Sequence, residues 1–403
     1  MRVEVVTGPD AGVQLRGSSE RLVIGTHRSA DLALTDKTIS RFHLELVIEG
    51  DAVHLRDLGS KNKTLLDGVE LESARLRGPT ILSIGQTELR IDLLGDAVPL
   101  ALAPQEQFGD LVGASPLMRM TFERLHQASL RATHVLVEGE RGTGKDLAAA
   151  ALQDCSARRD APLDVIDCNM PALELETLLF GRATHAGALE RCHGGTLVLD
   201  EVGNLARNTQ RTLVRAVEDR AVRRLDAPHP ADVRIIALSR RNLRVDVNTD
   251  RFLPDLYELL AASRIRMPPL REHPEDIPLL VARFVGADVS RASAELQSAE
   301  SLEQLRAAPW PGNVRELRAY VEHALAGDTA TAPTEPLVDT NLPLREARER
   351  WVRYFERTYV ADLLERTGGN VSASAALAGV DRVYMHRMVT RTGLRPQLSR
   401  DRK

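Results

Sequence analysis

The segment HVLVEGERGTGKDLAAAAL, residues 134–152, decides the fold of the largest part of the chain. The apolar run HVLV predicts a buried strand, and DLAAAAL predicts a helix. Between them, GERGTGKD (Gly139–Asp146) fits the pattern G-x-x-x-x-G-K. Glycines let the backbone turn its N–H groups toward phosphates, and Lys145 can reach the terminal phosphates. The strand-loop-helix context therefore predicts a nucleotide site rather than a chance glycine-rich turn.

A second apolar strand, within GGTLVLDE (Gly194–Glu201), ends in two acidic residues. Taken alone, acids at a strand end are often only a cap. Together with the loop they predict that Asp200 lies near a nucleotide-bound Mg²⁺ and Glu201 near an attacking water. Asp146 stands where the generic loop has Ser or Thr to help hold the metal. The predicted nucleotide contacts are Gly139, Glu140, Arg141, Gly142, Thr143, Gly144, Lys145 and Asp146.

Composition and charge describe a multidomain globular protein. The chain has 403 residues, which predicts two to four domains at roughly 100–200 residues each. Its net charge of −4 excludes a chain that is polybasic throughout. Residues 366–403, however, hold eight Arg and Lys against two Asp. This basic tail indicates either contacts with nucleic-acid phosphates or a solvated end.

Cysteine usage and hydropathy predict a cytoplasmic protein. Cys155, Cys168 and Cys192 form no CxxC pair, so neither a zinc site nor a disulfide framework is expected. The N-terminal MRVEVVTGPD lacks the apolar core of a signal peptide. No stretch approaches the ~20 apolar residues of a membrane span, so we expect no membrane partner.

The order of patterns predicts three folded parts. Residues 1–95 show short strands separated by turns, which predicts a β-sandwich, and residues 96–107 are an Ala- and Pro-rich linker. Residues 108–326 alternate helices with buried strands, which predicts a parallel α/β sheet. A second linker is expected at 327–341, and helices at 342–403. The expected strands are Arg2–Val6, Arg21–Ile24, His43–Ile48, Ala52–Leu55, Glu88–Leu93, His134–Val137, Thr196–Leu199 and Val233–Leu238, and the expected helices include Met118–Arg131 and Thr209–Asp219.

The region from Asp110 to Ala326 resembles the AAA+ domain of sigma-54-dependent enhancer-binding activators. The matching blocks, in the family's order, are LVGASPLMRM, GERGTGKD, LLFG, HGGTLVLDE, MPPLREHPEDIPLL and WPGNVREL. The resemblance implies a P-loop nucleoside-triphosphatase core with a helical lid at about 270–326, and ATP or ADP with Mg²⁺ as cofactors. It also implies that Lys145 contacts phosphate, that Asp200 and Glu201 form the Walker B pair, and that Arg315 is the sensor-II arginine.

The sequence departs from that family in the segments that contact the polymerase and that support hydrolysis. The family carries a GAFTGA loop that touches the sigma factor, whereas Phe180-Gly181 is followed here by RATHAGALERCH. The family segment FRxDLYYRL supplies two arginines across the subunit interface. In FLPDLYELL (Phe252–Leu260), Leu253 and Leu259 take their places. The sensor-I segment, AATNRDL in the family, reads ALSRRNL.

These departures predict a member that binds ATP or ADP but hydrolyses ATP slowly or not at all. An arginine of this kind can be worth about 10³–10⁵ in rate. The first alternative is that Arg251 or Arg264 compensates, which would restore an ATP-hydrolysing sigma-54 activator. The second is a nucleotide-gated scaffold or co-regulator that does not remodel polymerase.

Residues 24–85 resemble a forkhead-associated (FHA) domain. The matching pieces are IGT, SRFH (Ser40–His43), DLGSKNKT (Asp57–Thr64) and Asp67-Gly68. The resemblance implies a phosphothreonine peptide held on loops, where a hydroxyl, amides and a cation converge on a dianion. Thr26 replaces the usual arginine, so either Arg28 or Arg41 substitutes for it, or the domain docks onto its own AAA+ core. The implied peptide contacts are Ser40, Arg41, Lys61 and Asn62, with His43 bracing the loop.

Phe355–Leu394 resembles the Fis-type helix-turn-helix that ends enhancer-binding activators. We expect Gly368-Gly369-Asn370 to end the first helix, Ser372 to cap the second, Gly379 to make the turn and Asp381 to cap the recognition helix. Such modules commonly bind as dimers, and residues 344–364 either supply a dimer face or pack within one subunit. The implied DNA contacts are Ser372, Asp381, Arg382, Tyr384, His386, Arg387 and Arg391, each arginine meeting a phosphate or a base.

These patterns together predict a transcriptional regulator with a β-sandwich, an α/β nucleotide-binding core and an all-α DNA-binding end. Its expected partners are promoter or enhancer DNA, a phosphothreonine protein and further copies of itself in a dimer or larger oligomer. Sigma-54 RNA polymerase is a further expected partner, although the loop that would contact it is missing.

Overall fold

The computed structural model describes residues 1–16, 21–49, 52–92, 101–182, 185–224, 227–286, 291–326, 352, 356–357, 359–364 and 366–392. The chain divides into two compact units, Met1–Ala330 and Thr331–Lys403. The expected linker at 327–341 lies outside the described residues, as do residues 96–100 of the other linker and most of the proposed dimer face at 344–364.

Short strands build an N-terminal β-sandwich. They are β1 (Arg2–Thr7), β2 (Gln14–Arg16), β3 (Arg21–Gly25), β4 (Leu32–Ala33), β5 (Leu44–Glu49), β6 (Ala52–Asp57), β7 (Thr64–Leu66), β8 (Val69–Leu71), β9 (Ser73–Leu76), β10 (Thr80–Ile84) and β11 (Thr87–Asp92). One sheet has the order β2-β1-β11-β10-β7-β8 and the other β4-β3-β5-β6-β9. Apolar residues such as Val3, Ile24 and Leu89 alternate into one shared core. The five strands expected here are present, with small shifts at their ends.

The second part of the first unit is built on a parallel sheet. Its strands, with two short hairpins, are β12 (Gln107–Phe108), β13 (Leu111–Val112), β14 (Val135–Glu138), β15 (Leu163–Asp167), β16 (Thr196–Asp200), β17 (Ala221–Arg224), β18 (Ala227–Pro230), β19 (Arg234–Ser239) and β20 (Ser263–Arg266). The parallel strands have the order β15-β16-β19-β14-β20. The interior strands are buried because helices cover both faces, which explains their unbroken apolar runs. The predicted parallel α/β sheet is confirmed.

Helices surround this sheet and continue beyond its last strand. They are α1 (Pro116–Ser129), α2 (Lys145–Asp154), α3 (Ala172–Phe180), α4 (Ala188–Arg191), α5 (Arg207–Glu218), α6 (Leu243–Asn248), α7 (Pro254–Leu260), α8 (Ile277–Val285), α9 (Arg291–Leu296), α10 (Ala299–Ala307) and α11 (Asn313–Leu325). Helices α8 to α11 form a helical region after β20. Buried Asp276 ties this region to the segment just before α1, because it accepts hydrogen bonds from the N–H groups of Ala114 and Ser115, both at 2.7 Å.

The C-terminal unit contains α12 (Val371–Ala378) and α13 (Arg382–Thr392). Gly368 and Gly369 have φ of +58° and +81°, which ends the preceding helix as expected. Ser372 was expected to cap α12, and this is wrong. Asn370 is the cap, since its side-chain oxygen accepts from the N–H groups of Ser372 and Ala373, both at 3.1 Å. The helix begins two residues earlier than the position that the sequence suggested.

The turn between α12 and α13 follows the expected chemistry. Gly379 has φ of +66°, and Asp381 caps α13 by accepting from the N–H of Tyr384 at 2.8 Å. Met385 and Met388 are buried, which leaves the opposite face of α13 exposed.

Candidate nucleotide site and phosphate-binding loops

The loop Gly139–Asp146 leaves the carboxyl end of β14 and enters α2, the end of a parallel sheet where ligands bind. Gly142 and Gly144 have φ of +77° and +87°, which glycine adopts without strain. A Cβ at residue 142 would meet the carbonyl oxygen of Gly312 at 2.1 Å. The loop therefore needs glycine both for its own turn and for the close approach of the helical region.

Lys145 begins α2 and turns its ammonium group back into the loop. Its Nζ donates hydrogen bonds to the carbonyls of Gly139 and Glu140 at 2.8 and 2.9 Å. Burial lowers the pKa of Lys145, and nearby carboxylates, Glu201 first, oppose that shift. Buried Thr143 donates its hydroxyl to the Glu140 carbonyl at 2.9 Å and firms the same curl. The cation lies beside the N-terminus of α2, where a phosphate is favoured.

Asp200 and Glu201 lie at the carboxyl end of β16, beside the loop. Burial raises the pKa of Asp200, and the carboxylate of Glu201 raises it further. A cation at this point would relieve both effects, which is the chemistry that a Mg²⁺ ion supplies. Among the described residues, no cluster of three or more His, Cys, Asp and Glu side chains is arranged to hold a metal alone.

Arg240 holds the carboxylate of Glu201. Because β16 and β19 are parallel neighbours, the residues that follow their carboxyl ends, Glu201 and Arg240, lie side by side. Arg240 Nε lies 2.7 Å from one carboxylate oxygen, and the backbone N–H of Arg240 donates to the other at 3.3 Å. Both oxygens are engaged. The altered sensor-I segment was visible in the sequence, but this pairing was not predicted.

The helical region closes over the loop through two residues that the sequence analysis missed. Asn313, at the start of α11, donates to the carbonyl of Arg141 at 2.9 Å and accepts from the N–H of Leu270 at 2.8 Å. Arg271 donates two hydrogen bonds to the carboxylate of Glu140, at 2.7 and 2.6 Å. This contact lowers the pKa of Glu140. Both residues lie in blocks quoted for the family resemblance, so that signal was available.

Arg315 follows on the same helix and reaches the loop as expected. Its Nη2 lies 3.7 Å from a carboxylate oxygen of Asp146, and both side chains are largely exposed. An exposed ion pair of this length contributes little stability. The pair instead places a cation beside Asp146, the position where the generic loop has a metal-binding hydroxyl.

The segment Phe252–Leu260 carries no arginine, and its two replacement residues face the core. Leu253 and Leu259 pack, partly buried, against the main apolar cluster. Buried Arg264 pairs with Glu138 at 2.5 Å, and Arg251 pairs with Asp246 at 3.0 Å. Both arginines that were considered as substitutes are therefore engaged within their own chain.

Three of the four residues expected to contact a phosphopeptide lie together on the β-sandwich. Ser40 Oγ accepts from the backbone N–H of Lys61 at 2.9 Å. Asn62, the next residue, donates to the carbonyl of Thr38 at 2.7 Å. His43 braces the loop as expected, since its Nδ1 accepts from the N–H of Ser40 at 3.2 Å. A hydroxyl, two exposed polar side chains and a fixed loop thus share one edge.

Arg41 does not join that group. Its Nη1 donates to the carbonyl of Val247 and to the carboxylate of Asp250 in the α/β core, both at 3.0 Å. Arg28, the other proposed substitute for the missing FHA arginine, pairs with Glu258 on α7. The sandwich is thus docked onto the core, as the alternative interpretation of this domain predicted.

The expected DNA-contacting residues lie on and beside α12 and α13. Ser372 is exposed at the start of α12. Asp381, which caps α13, is exposed, as are Arg382, Tyr384, His386 and Arg387 on the helix itself. The side chain of Arg391 lies outside the described residues. Exposure at the N-terminal part of α13 agrees with what a DNA-reading helix requires.

Comparison with known proteins assigns the core. Residues 111–266 match the family described as the sigma-54 interaction domain, and residues 271–342 match the AAA+ ATPase lid domain. Nitrogen assimilation regulatory protein NtrX of Azorhizobium caulinodans is 36% identical over 322 residues, covering 70% of this chain and 69% of NtrX. The chain belongs to the family of sigma-54-interaction transcriptional regulators.

A further relative and a solved structure are similar to this chain, and one more family model matches its N-terminal part. The C4-dicarboxylate transport regulatory protein DctD of Pseudomonas aeruginosa is 35% identical, covering 76% of this chain and 69% of DctD. A crystal structure of NtrX from Brucella abortus in complex with ATP is 31% identical, covers 72% of this chain and 71% of that one, and has a TM-score of 0.49. Residues 4–93 match the family described as "Inner membrane component of T3SS, cytoplasmic domain". Within the described ranges, every helix is too short or too polar to cross a membrane.

The match to the sigma-54 interaction domain runs from β13 to β20 of this chain. It therefore contains the loop, the acidic pair and Arg240. The lid match contains Asn313, Arg271 and Arg315. The AAA+ core and its lid, expected from the order of the sequence blocks, are confirmed.

Proposed function

We propose that this chain is a DNA-binding transcriptional regulator whose AAA+ core binds ATP or ADP and hydrolyses ATP slowly or not at all. The observation that carries the proposal is a contrast inside one site. The phosphate loop has its glycine conformations, its inward lysine and its lid contacts, whereas the acid that would activate water is engaged by Arg240.

Nucleotide binding is supported by the local chemistry of the loop. Lys145 has its ammonium beside the N–H groups that begin α2, and Asn313 and Arg271 attach the lid to the same loop. Asp200 is the proposed partner of a nucleotide-bound Mg²⁺. When bound, that ion would neutralise phosphate charge, and Asp200 would orient it.

Slow hydrolysis is supported by three separate features. A general base must be free to approach the reacting water, and the carboxylate of Glu201 makes an ion pair instead. Leu253 and Leu259 offer no charge to a neighbouring subunit. Arg251 and Arg264, the arginines on either side of this segment, pair with Asp246 and Glu138. Because a phosphoryl-transfer transition state depends on such charges, each feature should lower the rate.

The proposed DNA-binding end is the pair α12 and α13. Asp381 and Arg382 lie at the N-terminal end of α13, where recognition helices usually contact bases, and Arg387 and Arg391 follow as phosphate or base contacts. Promoter or enhancer DNA is the proposed target, bound by a dimer or larger oligomer. Contact with sigma-54 polymerase should be weak, because residues 182–193 do not contain GAFTGA.

A phosphothreonine protein is the proposed input. The edge formed by Ser40, Lys61 and Asn62 brings together a hydroxyl, a backbone N–H and an amide side chain, and Lys61 also carries an ammonium group. Those are the groups that recognition of a phosphate dianion requires.

Two binding measurements on the full chain test the proposal. Calorimetric titration should detect both ATP and ADP, and selection from sheared genomic DNA should enrich particular fragments. The matched controls are Lys145→Ala for nucleotide and Arg382→Ala for DNA. A chain that enriches DNA but binds neither nucleotide would contradict the nucleotide part. A chain that binds nucleotide but enriches no DNA would instead support the scaffold alternative.

A further inference from the structure

The loop edge of the β-sandwich is packed against α6 and α7 of the AAA+ core. Asn248, at the end of α6, makes three hydrogen bonds across this contact. Its Nδ2 donates to the carbonyls of Phe42 and Leu58 at 2.5 and 2.9 Å, and its Oδ1 accepts from the N–H of Phe42 at 3.1 Å. One side chain thus satisfies backbone groups of two different sandwich loops, a geometry that fixes the register of the contact.

Apolar packing adds to these hydrogen bonds. The Phe42 ring is fully buried, and its centroid lies 5.1 Å from that of Tyr257 at an interplanar angle of 63°. Val23 and Leu58 of the sandwich join the same apolar cluster as residues of the core sheet. Buried aromatic side chains of this kind are the usual anchors of specific interfaces. The domains therefore share a continuous core at this edge.

Buried charge also crosses the contact. Arg21 and Glu45 of the sandwich pair with each other, and Arg244 of α6 lies 3.8 Å from the same Glu45 oxygen. Arg244 Nε donates to the hydroxyl of Tyr257 at 2.8 Å. A buried group of this kind is stable only while all its members are present. This part of the interface is built to remain closed.

The rim of the same contact is different, because its charges are exposed. Arg41 and Asp250 expose 43% and 71% of their side chains, and Arg28 and Glu258 expose 80% and 29%. Exposed pairs of this kind are weak and can exchange partners. Both arginines belong to the sandwich, and Arg41 directly follows Ser40, the hydroxyl of the phosphate-binding edge. The rim thus holds two of the sandwich's three candidate phosphate cations, the third being Lys61.

We propose that the AAA+ core and a phosphothreonine peptide compete for Arg41 and Arg28, so that Asp250 and Glu258 act as internal substitutes for the phosphate. This rests on the proposed phosphoprotein input. The carboxylates satisfy the arginines when no peptide is bound, and a dianion at Ser40 draws the cations away from α6 and α7. By linkage, whatever releases those rim pairs must favour the peptide, and the peptide must loosen the rim by the same factor.

The competition is tested with the full chain and a degenerate phosphothreonine peptide mixture as probe. The double variant Asp250→Ala, Glu258→Ala removes the carboxylate partners of both arginines, although Arg41 keeps its hydrogen bond to the carbonyl of Val247. It should bind the mixture about three- to tenfold more tightly than the wild type, the range that two exposed pairs can contribute. Arg41→Ala should bind it more weakly. Asp160→Ala, which removes an acid with 92% of its side chain exposed, is the matched control and should have no effect.

Unchanged or weaker binding by the double variant, while the wild type binds the mixture, overturns the competition and leaves the phosphopeptide site intact. No binding by any variant overturns the competition together with the phosphoprotein input. Hydrogen exchange tests the docking of the sandwich onto the core independently of peptide binding. Asn248→Ala should raise exchange at residues 40–43 and 58–60, whereas the exposed Asn208→Ala should not.

Discussion

The two loops that we propose to bind phosphate differ in where their cations are held. In the nucleotide loop, Lys145 bonds to carbonyls of its own loop, Gly139 and Glu140. In the sandwich loop, the corresponding cation Arg41 bonds to Asp250, which lies in another domain. The lysine of the nucleotide loop is held within one strand-loop-helix unit. The arginine of the sandwich loop is held by another domain, so a loop of similar chemistry depends on a domain contact.

The largest expected effect on ligand binding comes from removing one lysine from each loop. Lys145→Ala should weaken ATP binding by about 100-fold or more, since it removes the cation that the loop holds beside the start of α2, and should leave phosphothreonine peptide binding unchanged. Lys61→Ala should do the reverse. Titration of both variants with ATP and with the peptide mixture makes the comparison. Loss of both ligands in either variant would mean that the two sites are coupled or that the fold has been damaged.

A second prediction compares two glycines with left-handed backbone. Gly142→Ala should be the more damaging, because its Cβ would meet the Gly312 carbonyl at 2.1 Å, whereas a Cβ at Gly59 meets Val245 at 3.4 Å. Backbone strain alone accounts for about 1–2 kcal/mol at each position. Thermal unfolding and ATP titration of the two variants measure the difference. Equal losses would show that the lid does not approach the loop as closely as described.

A third prediction concerns the acid beside the nucleotide loop. Arg240→Asn should raise ATP turnover about tenfold, because it frees the Glu201 carboxylate to act on water, a role worth about 10²–10⁴ in favourable cases. Arg241→Asn, at the next position, is the control, since Arg241 pairs with Asp246 instead. If turnover falls in Arg240→Asn alone, Arg240 serves the reaction as an arginine supplied in cis.

The smallest expected effect is a pH dependence of the sandwich loop that contains Ser40 and His43. Burial lowers the pKa of His43, whose neutral Nδ1 accepts from Ser40. Its stabilising effect is fully present above the ordinary histidine pKa of about 6.5 and is lost as pH falls through the lowered folded value, by about 1.4 kcal/mol per unit of lowering.

Hydrogen exchange at pH 7.5 and 5.5, corrected for intrinsic rates, should therefore report loosening of residues 38–43. Residues 139–146 contain no histidine, so a loosening there would have to come from the core, where burial lowers the pKa of His134 to about 4, below the pH range compared. His54→Asn, which alters another histidine of the sandwich, should leave the effect in place. Equal loosening of both loops would point to global destabilisation instead.

Local patterns were predicted from the sequence far better than contacts between distant segments. The nucleotide loop, its strand and its helix are neighbours in sequence, so spacing alone indicated them. The Arg240–Glu201 pair depends on β19 lying next to β16, a fact of topology that no local motif contains. The Arg41–Asp250 contact joins residues 209 positions apart.

The cap of α12 was predicted at Ser372 instead of Asn370 because the two residues are alike in capping ability. Asn370 and Ser372 are both good capping residues, and helix boundaries are the least reliable part of a sequence prediction. Asn313 and Arg271 were missed although their blocks had been recognised, because their role depends on how the lid packs over Glu140 and Arg141.

The most direct test of the central claim is steady-state ATP turnover by the full chain, with ATP affinity measured on the same sample. We expect saturable ATP binding that is lost in Lys145→Ala, with turnover near background in the wild type. Robust wild-type turnover would contradict the claim, because it would require that Glu201 leaves Arg240 and that other cations replace the missing arginines. The chain would then be an ATP-hydrolysing activator.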